Sequence, residues 1–142
     1  MEIFLILTFL FAVGALCGWV LELFFRRFNS KKWINPGFLH GPYLPLYGFG
    51  LALLFLIARI PLGGISAVWL RYVVLLAVIC AVMTGIEYVA GLVFIKGMGI
   101  KLWDYSKRPG NIQGIICPLF SFFWTLIGGA YVFLLDPLVY RM

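Results

Sequence analysis

Pro36-Gly37-Phe38-Leu39-His40-Gly41, with Pro45-Leu46-Tyr47 and Phe49 behind it, returns without a gap as Pro109-Gly110-Asn111-Ile112-Gln113-Gly114, with Pro118-Leu119-Phe120 and Phe122 behind it. Each copy follows a long apolar segment that carries one glutamate, Glu22 in the first half and Glu87 in the second. The recurrence reads as a tandem duplication of helix, loop and helix, and internal symmetry of this kind points to where a transporter-like site lies. Repeat one is expected over residues 3–60 and repeat two over 69–135, inside a single transmembrane domain spanning 1–142.

Apolar residues make up 64% of the chain and charged residues 11%. The apolar runs are too long for the core of a soluble domain of this size, so the chain reads as an integral membrane protein. Four spans are expected: Ile3 to Phe25, Leu44 to Ala58, Trp69 to Ile95 and Ile115 to Leu135. The second is short, since Pro61 closes it soon after Arg59. At about 1.5 Å of rise per residue it covers roughly 25 Å, which calls for a thinned bilayer, an extension toward Leu62, or a re-entrant start. The first span is expected to be a retained helix: no basic stretch precedes it, its apolar run is too long for a signal, and no small-residue cleavage pattern precedes Arg26.

Positive charge sets the expected orientation. Arg26, Arg27, Lys31 and Lys32 fall in the first connection and Lys96, Lys101, Lys107 and Arg108 in the third, while the second holds only Arg59 and Arg71 at its edges. The first and third connections then face the cytoplasm across the cell membrane and both termini lie outside. The expected fold class is all-α, an integral membrane four-helix bundle built from two parallel helix-loop-helix repeats. Because each repeat holds an even number of spans, the repeats are related by a pseudo-twofold axis along the membrane normal. The net charge of +6 is accounted for by this topology and by anionic lipid headgroups, with no nucleic acid partner needed. Membrane lipids are expected partners, together with a second copy of the chain or another membrane or ATPase subunit.

Several chemistries have no footing here. Cys17, Cys80 and Cys117 lie in or beside apolar spans without a Cys-x-x-Cys pair, and are expected as buried small hydrophobes with no disulfide and no metal site. There is no Walker A loop, no dinucleotide fingerprint, no Ser-His-Asp arrangement and no His-Glu-x-x-His, and no cofactor is expected. If ATP is used, another chain binds it.

Gly14, Gly18 and Glu22 recur at intervals of four and share one face of the first span; Thr84, Glu87 and Gly91 share one on the third. Glu22 stands four residues before Arg26 and is placed to snorkel or to pair with it across one turn. Glu87 is nine residues from Lys96, hence about 13 Å inside the helix end, where a charge costs several kcal/mol unless paired, hydrated or protonated. A carboxyl at that depth suits proton coupling, cation binding or acid–base work. His40 is the one histidine, replaced by Gln113 in the second copy, and the exchange marks either acquired asymmetry or two ways of bonding a tight loop. In Lys101-Leu102-Trp103-Asp104-Tyr105-Ser106-Lys107-Arg108, Trp103 and Tyr105 suit the membrane interface. Asp104 is an acid in a basic loop, placed to pair with Lys101 or Arg108 or to bind a cation. Asn111 precedes the fourth span, placed to cap it or to bond a ligand.

Gly18-Trp19-x-x-Glu22, Asn35-Pro36-Gly37-Phe38-Leu39-His40-Gly41-Pro42-x-x-Pro45-Leu46-Tyr47-Gly48-x-Gly50, Glu87-Tyr88-x-x-Gly91 and Trp103-Asp104-Tyr105-Ser106 together resemble the ABC-transporter type IV, or CmpB-like, family of small multi-pass membrane proteins. The resemblance covers most of the chain and implies a permease-type role. It directs attention to Glu22, Gly37, His40, Gly41, Pro42, Pro45, Tyr47, Gly48, Glu87, Trp103, Asp104, Tyr105 and Asn111. Pro36 stands where the family more often has arginine before the loop glycine.

Three classes of function are compatible with these residues. The preferred one is a permease component whose intramembrane glutamates line a substrate or ion site, the candidate substrate-binding set being Glu22, His40, Glu87, Trp103, Asp104, Tyr105, Asn111 and Gln113. The second is a membrane-embedded enzyme or binding protein for a lipid or isoprenoid headgroup, using His40, Glu87, Asp104 and Asn111 at the cytoplasmic interface. The third is a non-catalytic assembly subunit.

Overall fold

The computed structural model describes residues 2–139. Helix α1 runs Glu2–Ser30, α2 Pro45–Ile57, α3 Val68–Gly91 and α4 Pro118–Ala130. Helix α3 continues without a break as a π-helical stretch Leu92–Gly97, and α4 as a second one, Tyr131–Leu135, before a last turn, α5, Asp136–Val139. Among the described residues there is no strand, only an isolated bridge between Ile112 and Ile116. Three helices are long and apolar enough to cross a membrane: Glu2–Ser30, Val68–Gly97 and Pro118–Val139. The expected second span is a helix of 13 residues, which rises only about 20 Å.

The boundaries have local causes. Helix α1 outlasts its expected end at Phe25 because Arg26 and Arg27 are good helix formers, and Ser30 Oγ donates to the Arg26 carbonyl at 2.7 Å. It stops where Lys31 takes a left-handed conformation, φ 57°, with its amide bonded to the Arg27 carbonyl at 2.9 Å. Helix α4 begins at Pro118 and not at Ile115, since proline at the first position suits a helix start and the preceding residues form a tight turn.

The chain divides into two compact units, one through Ala52 and one from Leu53. In the first, α1 buries Leu10, Gly14, Ala15 and Gly18. Close approach requires the glycines: a Cβ at Gly14 would lie 2.8 Å from the Tyr47 carbonyl oxygen, and one at Gly18 would overlap the Tyr47 ring. The Leu44 amide donates to the Ala15 carbonyl at 2.9 Å, and Phe11 meets Phe49 edge-on at 4.9 Å.

In the second unit α3 buries Ile79, Met83, Glu87 and Gly91, every fourth residue and therefore one stripe. Ile79 is fully buried, and a Cβ at Gly128 of α4 would lie 2.5 Å from its Cγ2. Ile115, also fully buried, fills the space left by Gly91. All three cysteines are free; Cys117 is buried as expected, while Cys17 is exposed and Cys80 half-buried. Cys17 lies among the apolar residues of α1 on the side turned away from the unit's core, which suits contact with hydrocarbon.

Candidate functional site

In the first unit Glu22 lies on α1 with its side chain 24% exposed, and Arg26 Nε meets Oε1 at 3.2 Å across one helical turn. The other carboxylate oxygen accepts from the Tyr47 hydroxyl at 3.1 Å, brought there by the packing of α2 on Gly14 and Gly18. Trp19, one turn before Glu22, donates its indole N–H to Asn35 Oδ1 at 2.8 Å, and the same oxygen accepts from the Gly37 amide at 3.2 Å. Asn35 thus anchors the first Pro-Gly loop to α1. His40 is exposed in that loop.

In the second unit Glu87 is 3% exposed, within a continuous helical run of 30 residues. Its Oε1 accepts from the Tyr105 hydroxyl at 3.0 Å. Tyr105 reaches inward because its ring stacks on Phe120 of α4, centroids 4.3 Å apart and planes 12° apart, and because its amide is bonded to the Gly114 carbonyl at 2.8 Å. Trp103 donates its indole N–H to the Ile115 carbonyl at 2.7 Å. One turn before Glu87, Thr84 donates to Ser121 Oγ at 2.8 Å.

The rest of the loop is bonded to itself. Asp104 Oδ2 pairs with Lys101 Nζ at 2.6 Å and Oδ1 accepts from the Ser106 amide at 2.9 Å. The bond to Lys101, then those to Ser106, hold this exposed carboxyl far below the usual carboxylate range. Asn111 does not cap α4, which begins without a side-chain cap. Its amide nitrogen donates to the Arg108 and Ser106 carbonyls at 2.8 and 3.1 Å, and its oxygen accepts from the Gly114 amide at 3.0 Å. A nearby turn outcompetes a more distant cap, as is common for asparagine. Gln113, in a left-handed conformation with φ 54°, donates to the Tyr88 hydroxyl at 3.2 Å.

The structure therefore joins Glu87 with Tyr105, gathers Trp103, Asp104 and Asn111 into one loop framework, and sets Gln113 on Tyr88. Glu22 and His40 belong to the first unit. Sequence reasoning missed Phe120 as the support of Tyr105, for which the aromatic at the Tyr47 position of the repeat was the available signal. It also missed a cluster at the other end of the second unit. There Arg59 Nη1 meets Asp136 Oδ1 at 2.9 Å, Tyr131 donates to the same oxygen at 3.3 Å, and the guanidinium lies over the Phe55 ring. Arg59 and Asp136 are 77 residues apart, and no local spacing announces the pair.

Long apolar helices, one burying a carboxyl, define a helical membrane protein. The family model described as "Putative ABC-transporter type IV" matches residues 9–142, nearly the whole chain, and the protein belongs to that family. No curated protein and no solved structure matches it.

Proposed function

We propose that this chain is the membrane permease component of a transport system, with Glu87 lining its substrate or ion site and Glu22 lining a lesser one. The observation that carries the reading is Glu87 itself, 3% exposed on an apolar helix and held by a tyrosine from a loop. A carboxyl retained at such a position is costly and points to passage or coupling of charge. The family supports association with other subunits of a transport system, and if that system uses ATP a separate chain binds it, since this sequence holds no Walker A motif.

The parallel two-repeat arrangement, with basic loops in the cytoplasm and termini outside, belongs to the same proposal. The recurrence of Pro36–Gly41 as Pro109–Gly114 and the basic residues of the first and third connections support it. Acid–base chemistry on a lipid headgroup is less well supported, because it calls on Asp104 and Asn111, whose side chains are bonded within the loop.

The test is solute flux in liposomes holding the purified protein, with and without its co-purified partner chains, across a panel of inorganic cations, amino acids and sugars. Transport of one class by the wild type, lost in Glu87→Gln with an unchanged elution profile, supports the reading. Equal flux in both proteins removes Glu87 from the path.

A further inference from the structure

The long helix of the first unit ends in a set of cations and rings. Val20, Phe24, Arg27 and Phe28 follow one another at spacings of three and four and share one face of α1. The left-handed turn at Lys31 then doubles the chain back and brings Trp33 onto that face. The Trp33 ring meets Phe24 edge-on with centroids 5.8 Å apart, and the Arg27 guanidinium lies over the same ring at 5.5 Å. Arg27 Nη1 also donates to the Lys31 carbonyl, so ring and carbonyl together hold one cation beside two more, Lys31 and Lys32, both exposed. Val20, Phe24, Phe28 and Trp33 are exposed as well.

Two features of this patch select its partner. The first is uncompensated charge. Residues 23–86 include no Asp or Glu, and the acids of the first unit are Glu2, at the far end of α1, and Glu22, bonded to Arg26 and Tyr47. The basic loop of the second unit differs, for there Asp104 takes Lys101. The second feature is level. The uncharged run Ile3–Leu21 rises about 28 Å, close to the roughly 30 Å of a bilayer's hydrocarbon, which puts Arg27, Lys31 and Trp33 among the headgroups with Val20 and Phe24 on their acyl-chain side. Cations next to an exposed apolar face fit a molecule that is anionic at one end and apolar at the other. An acidic protein surface answers the charge but not the apolar face. We infer that Arg27, Lys31, Lys32 and Trp33 form a seat for the headgroup of an anionic phospholipid, its phosphate taken by the guanidinium and the two ammonium groups and an acyl chain lying along Phe24 and Val20.

The experiment is native mass spectrometry of the intact protein released from detergent micelles, titrated with phosphatidylglycerol or with phosphatidylcholine. The expected result is tighter binding of phosphatidylglycerol, weakened about fivefold for each cation removed and so roughly 25-fold in Arg27→Gln, Lys31→Gln, with a smaller effect on phosphatidylcholine, whose choline offsets its phosphate. Gln113, with φ 54°, shows that glutamine accepts the left-handed turn found at Lys31. Lys107→Gln, Arg108→Gln removes the same charge from the loop of the second unit and is expected to leave most of the affinity. Equal affinity of the wild type for the two lipids overturns the seat without any variant, and equal losses in the two double variants overturn it in favour of charge spread over the whole protein. Displacement of phosphatidylglycerol by millimolar inorganic phosphate overturns the lipid in favour of a soluble anion. Phosphatidylglycerol binding untouched in Arg27→Gln, Lys31→Gln, with loss of a co-purified acidic chain, overturns it in favour of a protein partner.

Discussion

The two compact units solve the same problem, a carboxyl on an apolar helix, with two degrees of burial. Glu22 has Arg26 one turn away, a side chain 24% exposed, and a hydroxyl from a neighbouring helix. Glu87 is 3% exposed and takes its hydroxyl from a loop. In the aligned loops Phe120 stands where Tyr47 does, so the second unit divides one residue's work in two: Phe120 supplies the ring and Tyr105, stacked on it, supplies the O–H. The difference teaches that the first carboxyl is kept beside a basic residue one turn away and partly exposed, while the second is kept in a buried seat against a loop phenol.

The sharpest way to break the comparison is to neutralise each acid. Glu87→Gln is expected to abolish flux, and Glu22→Gln to leave most of it and to change stability by about 0–1 kcal/mol, as a partly exposed ion pair should. Flux lost equally in both would make the two sites equivalent. Thermal unfolding in detergent gives the second number.

Next come the glycine seats. Gly91→Ala drives a methyl into the fully buried Ile115, and Gly18→Ala drives one into the Tyr47 ring. Each is expected to cost about 1–3 kcal/mol. Gly18→Ala should also part Tyr47 from Glu22, and a Gly18→Ala, Tyr47→Phe double variant no less stable than Gly18→Ala alone would show it.

A finer test exploits the divided tyrosine. Tyr105→Phe is expected to cost about 1 kcal/mol for the lost hydrogen bond. Adding Phe120→Tyr to that variant should restore part of the loss if the two halves place their aromatic rings alike; a further loss would show that the likeness ends at the ring.

The smallest effect concerns the loop's acid. Because the folded state holds Asp104 well below its ordinary value near 3.9, its contribution is fully present above about pH 5 and is lost progressively as pH falls through about 4 toward the lowered folded value. Asp104→Asn should therefore narrow the difference in stability between pH 5 and pH 3, and a variant with an unchanged pH profile would show that the loop does not use the charge.

Much of the fold was legible in the residues, because the long apolar runs dictate where helices lie, while α1 running on through Arg26 and Arg27 was not. The pairing of Glu22 with Arg26 was legible too, since a spacing of four puts both on one helix face. The brevity of α2 followed from Pro61. The partner of Glu87 was not readable, for Tyr105 is 18 residues away, beyond a π-helical stretch whose changed pitch no periodicity rule anticipates. Asn111 misled because its side chain can serve a cap or a turn, and only the loop's actual path decides between them. The Arg59–Asp136 pair needed the tertiary fold outright.

Tyr105 is tied at its backbone to Gly114, and Gly114 in turn to Asn111, so the loop behaves as a rigid handle with a phenol at its tip. A pull on that handle is a pull on the phenol, and through it on the buried carboxyl of Glu87.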